Sequence, residues 1–143
     1  MNKIISVYKY LLIVSLIHLV SCREEMECER VVDYVFSNET NFVITLPFEQ
    51  PVQLPVNGNY VINGESQGRC EDVNVKFESP LTTGIIVFNE NEFCWDINPN
   101  NDLTQAEGPA KIQNYQFKQI GKGRIEFEYV FQEENLEYTT SCE

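Results

Sequence analysis

A single histidine occurs in the 143-residue chain, His18, and it lies in an apolar stretch near the start. Beyond residue 21 there is none. For that part of the chain this excludes histidine general acid–base catalysis, imidazole-activated serine or cysteine nucleophiles, and histidine-ligated metals. Basic residues are also scarce: 10 Lys and Arg stand against 22 Asp and Glu, a formal net charge of −12. A chain of that sign lacks the basic face that phosphate contacts need, so no nucleic-acid partner is expected. No Cys-x-x-Cys pair occurs, which argues against a zinc site. No apolar run reaches the roughly 20 residues that span a bilayer as a helix. Internal repeats, low-complexity tracts and signs of a second folded domain are absent too.

The N-terminus has the parts of a secretory leader. Lys3 and Lys9 form a positive head with no acid near it, and Leu11–Val20 is mostly apolar and of h-region length. Ser21 then stands directly before Cys22. Leu19-Val20-Ser21-Cys22 resembles the lipobox of bacterial lipoproteins. The resemblance implies cleavage before Cys22, lipid on its thiol, and attachment of the mature chain to a membrane. Each buried methylene contributes about 0.8 kcal/mol, so one chain holds reversibly and two or three hold firmly. Behind the cysteine, Arg23-Glu24-Glu25-Met26-Glu27 carries three acids. This resembles the acidic tether that directs some lipoproteins of Bacteroidetes-type bacteria to the outer face of the outer membrane. The expected location is therefore the outer membrane, surface-exposed, with its periplasmic face as the alternative. The expected organisation is a signal peptide over 1–21, a tether over 22–29 and one domain over 30–143.

Cleavage changes the composition. It removes His18, and it leaves 8 basic residues against 22 acids, a net charge of −14. A cationic partner suits such a chain. Lipidation of Cys22 leaves an even set of cysteines: Cys28, Cys70, Cys94 and Cys142. Outside the cytoplasm these read as two disulfides, with three possible pairings. The expected pairing ties the domain ends, Cys28–Cys142, and closes Cys70–Cys94 within.

After the leader no segment shows a helical period, whereas strand patterns recur between turn residues. In Arg124–Gln132 the apolar Ile125, Phe127, Tyr129 and Phe131 alternate with Arg124, Glu126 and Glu128. Val73/Val75/Phe77, Phe42/Ile44/Leu46 and Val32/Tyr34/Phe36 alternate likewise. Ile85–Phe88 is apolar throughout, as a strand buried on both faces would be. Asn57-Gly58 between Val52/Leu54/Val56 and Tyr60/Ile62 predicts a tight hairpin, because both residues tolerate positive φ. Asn63-Gly64, Asn89-Glu90-Asn91 and Gly121-Lys122-Gly123 predict further reversals. A change of parity between Ile112 and Tyr115 predicts a bulge near Gln113-Asn114. Pro47–Pro55 reads as an edge. The fold class expected is all-β: an antiparallel sandwich, immunoglobulin-like in style, of about eight to ten short strands, with a small barrel as the alternative.

Three stretches carry possible chemistry. Asp96, Asn98, Asn100, Asp102, Thr104 and Glu107 have the spacing of an EF-hand calcium loop, which wraps six to eight hard oxygens around one ion. Asn101 replaces its glycine, Pro99 sits at the fourth position, and Gly108-Pro109 blocks a following helix. Calcium is the only cofactor this sequence raises. Paired carboxylates, as in glycoside hydrolysis, are the one catalytic route left open, although the acids fall on solvent faces (Glu126, Glu128) or in turns (Glu90, Glu92). Leu81-Thr82-Thr83-Gly84 resembles the Thr-Thr-Gly loop of chagasin-like cysteine-protease inhibitors; Ile85 replaces the aromatic that should follow, and the later Arg-Pro-Trp loop is missing. Tyr60, Trp95, Tyr115 and Tyr138 are candidate exposed anchors. The function expected is a lipid-anchored, non-catalytic binding module for a protein or glycan partner. Its rivals are a small carboxylate-dependent hydrolase and a passive structural lipoprotein.

Overall fold

The computed structural model describes residues 28–64, 66–70, 76–97 and 108–142. Among the described residues ten strands form two sheets that face one another, an all-β sandwich and not a closed barrel. The first sheet has the order β4-β1-β9-β8: β4 is Asn59–Ile62, β1 Glu29–Asn38, β9 Arg124–Phe131 and β8 Gln116–Gly121. Strand β5 (Ser66–Arg69) continues beyond β4 along the same side of β1. The second sheet has the order β10-β7-β6-β2-β3: β10 is Thr140–Ser141, β7 Phe93–Ile97, β6 Gly84–Phe88, β2 Ile44–Leu46 and β3 Val52–Leu54.

The side-chain period of two decides what lies between the sheets. From β9, Ile125, Phe127, Tyr129 and Phe131 are all buried, and the residues between them are not. From β1 come Val32, Tyr34 and Phe36; from the opposing sheet come Ile44, Leu46, Leu54, Ile86, Phe88, Trp95 and Ile97. Aromatic rings knit the layers together: Phe88 meets Phe131 edge-on at 6.3 Å, and Tyr115 packs on Phe36 at 5.9 Å and on Tyr129 at 5.4 Å. Each fully buried large apolar side chain stabilises the fold by about 1.5–3 kcal/mol. Strand β1 is buried on both faces from Val32 to Phe36. It lies between β9 and the β4–β5 edge, and its Asp33 is bonded to Arg124 on one side and to Gly64 on the other.

Several expectations are corrected. The sandwich is not purely antiparallel: β1 and β9 pair in parallel over eight residues, from Val31↔Arg124 to Asn38↔Phe131. Parallel neighbours need a long crossover, and here most of the chain intervenes. Asn57-Gly58 makes a turn, with Asn57 at φ 57° and the Gly58 N–H donating to the Pro55 carbonyl at 2.8 Å, but it is not a hairpin. It is a corner: β3 before it pairs with β2 in one sheet, and β4 after it pairs with β1 in the other. Any Cβ at Gly58 would meet Pro55 at 2.6 Å. Asn63-Gly64 does not reverse the chain either. The backbone runs on beside β1, so closely there that a Cβ on Gly64 would fall 1.0 Å from the Val32 carbonyl oxygen.

Strand β6 is buried on one face only: Ile86 and Phe88 point inward, whereas Ile85 is 53% exposed. Its outer neighbours are other strands of an open sheet face rather than a third layer. In place of a bulge at Gln113-Asn114 there is one 3-10 turn, Ile112–Asn114, which turns Tyr115 into the core. The disulfide pairing also differs. Cys28 bonds Cys70 and Cys94 bonds Cys142. Antiparallel pairing of β1 with β5 brings the first two together, and pairing of β7 with β10 brings the second two together. Two residues of the predicted tether, Cys28 and Glu29, thus belong to the sandwich. Of the predicted Val73/Val75/Phe77 strand, Val73 and Val75 lie outside the described residues; Phe77 packs on Phe127 with ring centroids 5.1 Å apart. The two other predicted hairpins are present, joining β6 to β7 and β8 to β9.

Candidate functional site

The parallel run of β1 beside β9 delivers both strands to the same end of the sandwich, and three loops gather there: 39–43, 89–92 and 132–138. The Glu39 N–H donates to the Phe131 carbonyl at 2.9 Å, and the Asn89 N–H to the Val43 carbonyl at 3.0 Å. Asn41 donates to Glu133 Oε1 from its backbone N–H at 3.1 Å and from Nδ2 at 2.7 Å. Gln132 Nε2 reaches Glu39 Oε2 at 3.3 Å. These bonds hold the loops as one surface.

Beneath it sits Asn38, almost fully buried. Its Nδ2 donates to the carbonyls of Phe42, Leu54 and Pro55 at 2.8, 3.1 and 3.1 Å. Its Oδ1 accepts from the Thr40 N–H and hydroxyl at 2.9 and 2.8 Å. One buried amide therefore ties backbone groups of the turn to those of strand β3 and the residue after it.

The loop surface is acidic. Glu39, Glu90, Glu92, Glu133, Glu134 and Glu137 are all exposed on it, and the three loops contain no Lys or Arg. Its β6–β7 turn is strained: Asn89, Glu90 and Asn91 take φ of 50°, 51° and 83° in succession. Asn adopts this left-handed region readily, but Glu90 does so at a cost of about 1–2 kcal/mol. The Asn89 amide is bonded to the Glu92 carboxylate across the turn. The loop 132–138 opens with a reciprocal cap, in which Asn135 Oδ1 accepts the Gln132 N–H at 2.8 Å. Chemically the surface offers hydrogen-bond acceptors and negative potential, which favour a cationic partner.

The predicted cysteines of the domain form the two disulfides, and most of the other sequence-predicted site residues lie outside the described residues. Cys22 lies outside the described residues, as do Asn98, Asn100, Asp102, Thr104 and Glu107. Asp96, the first position of the calcium pattern, is exposed on β7 opposite Ile85. Among the described residues, no three His, Cys, Asp or Glu side chains are grouped to hold a metal. Thr82 and Thr83 are exposed ahead of β6. The aromatic anchors are corrected: Trp95 and Tyr115 are core residues, and Tyr60 and Tyr138 pack half-buried on Phe48 and Trp95. Tyr115 Oη lies 2.8 Å from the Pro109 carbonyl and 2.9 Å from the Ser79 hydroxyl, and burial pushes its pKa up. The most exposed large apolar residues among the described ones are instead Phe117 and Ile85, the latter expected in a strand buried on both faces. Glu126 and Glu128 face outward from β9 as the alternation predicts; Glu128 accepts a 2.6 Å hydrogen bond from the Ser37 hydroxyl. The chain matches no protein-family model, no curated protein and no solved structure.

Proposed function

We propose that the chain is a lipid-anchored lipoprotein of the cell envelope, held through Cys22, whose β-sandwich is a non-catalytic binding module. Its acidic loop end meets a cationic face of a protein or glycan partner. One observation carries the reading: the run of β1. The strand starts at Glu29, seven residues after the lipobox cysteine, and ends at Asn38, beneath the three acidic loops. At about 3.3 Å per residue its ten residues separate the anchor side from the loop end by roughly 30 Å. A lipid at Cys22 would leave those loops facing away from the membrane. The lack of histidine past residue 21 supports a binding role over catalysis.

Glu90, Glu134 and Glu137 are exposed, which makes a triple substitution to Gln there mild toward the fold. Chemical cross-linking in intact cells should yield an adduct with the unaltered chain and lose most of it with Glu90→Gln/Glu134→Gln/Glu137→Gln. Equal cross-linking by both, or turnover of a polysaccharide or peptide by the purified chain, would contradict the proposal.

A further inference from the structure

We infer that the free edge of β8 is a strand-addition site for an extended, acidic segment of another protein. Among the described residues β8 has one hydrogen-bonded neighbour, β9. All six of its residues are exposed, with Phe117 at 62% and Ile120 at 41%. Sheet edges are normally blunted by brevity, proline, lysine, a bulge or a break, because their unpaired N–H and C=O groups template further pairing. The other edges here follow that pattern. Strand β3 has three residues between Pro51 and Pro55, β10 has two, and the β4–β5 edge is interrupted at Asn63-Gly64. Strand β8 carries Lys118 and a register shift between Gln119 and Gly121, yet with six residues it is the longest edge among the described strands, and it exposes Phe117 and Ile120.

Charge identifies the occupant. From Lys111 to Arg124 the sequence carries Lys111, Lys118, Lys122 and Arg124 and no acid, within a chain of net charge −12. Lys118 lies 3.5 Å from Glu126, yet its side chain is 67% exposed, so an incoming carboxylate can share it. The two faces of the strand differ. Phe117 is registered with Phe127 on the inner face, its ring 5.6 Å from that of Phe127, while Lys118 is registered with Glu126 on the outer face. An added strand would therefore place an apolar residue beside Phe117 and an acidic one beside Lys118, an alternating apolar–acidic pattern. Main-chain hydrogen bonds would supply affinity and these two contacts the specificity.

The test uses the purified full chain and a capped eight-residue peptide alternating glutamate and valine, with a lysine–valine peptide as control. Hydrogen exchange read by mass spectrometry should show residues 116–121 slowed severalfold and saturably by the glutamate–valine peptide. Lys118→Glu should weaken the effect about tenfold, and Phe117→Ser should weaken it too. The Glu90→Gln/Glu134→Gln/Glu137→Gln variant should respond like the unaltered chain, which separates this site from the acidic loop end. No protection at millimolar peptide, or equal protection by the lysine–valine peptide, would overturn the inference. So would protection of 116–121 that exists without peptide and disappears on dilution, because the occupant would then be a second copy.

Discussion

The carboxylate of Asp33 accepts a 2.6 Å hydrogen bond from Nε of Arg124, joining β1 to its parallel neighbour β9. Its other oxygen takes the Gly64 N–H at 3.3 Å, so one side chain ties β1, β9 and the segment that joins β4 to β5. Asp33 is 3% exposed, and such a carboxylate needs its partners to stay charged. The Arg124 hydrogen bond, aided by Gly64, outweighs burial and holds its pKa below the ordinary 3.8.

A lowered folded-state pKa fixes the sign of the pH dependence. The Asp33 contribution is fully present above the unfolded value of 3.8 and is lost as pH falls through the lower folded value. Replacing Asp33 by Ala should cost about 2 kcal/mol at pH 7, as expected for a hydrogen-bonded charged group. The cost should shrink below pH 4, as urea denaturation at stepped pH would show.

Asn38 should be more sensitive still. Asn38→Ala removes the hydrogen bonds to three carbonyls and to the Thr40 N–H, and should cost about 3 kcal/mol. Asn38→Asp is worse at neutral pH, because a carboxylate would face the carbonyls of Phe42, Leu54 and Pro55. Its thermal midpoint should fall below that of Asn38→Ala at pH 7 and recover relative to it near pH 4, where a protonated carboxyl can donate one of the lost bonds.

The bridge between Cys94 and Cys142 closes a span of 48 residues and clips the short β10 to β7. In the chain-entropy account, a loop of that length contributes about 4 kcal/mol. Cys94→Ser/Cys142→Ser should lower stability by about that amount in denaturant melts. Peptide mapping without reduction should recover Cys28–Cys70 and Cys94–Cys142 and neither of the crossed pairings.

Some of this was legible in the sequence, for physical reasons. Strand β9 announces itself because one of its faces is covered and the other is wet, so Ile125 through Phe131 alternate cleanly. The β6–β7 and β8–β9 turns were legible because Asn89-Glu90-Asn91 and Gly121-Lys122-Gly123 are turn formers between apolar runs. What stayed hidden depends on partners distant along the chain. Asn57-Gly58 specifies a turn locally, but nothing local says that the next strand joins the opposite sheet. The parallel β1–β9 pairing places Asn38 beside Phe131, and no short-range pattern encodes it. The acidic loop end was half visible for the same reason: Glu90 and Glu92 read as turn acids, but their gathering with Glu39 and Glu133 follows from that pairing. Trp95 and Tyr115 look like candidate anchors in sequence because a polar handle on an aromatic says nothing about its burial.

The proposed lipid anchor at Cys22 is tested most directly by the mass of the N-terminal tryptic fragment of the protein isolated from whole cells. The proposed anchor predicts a chain that begins at Cys22 and carries a diacylglyceryl group there, with one further acyl chain on the amino terminus. An unmodified Cys22, or a leader still attached, would contradict it.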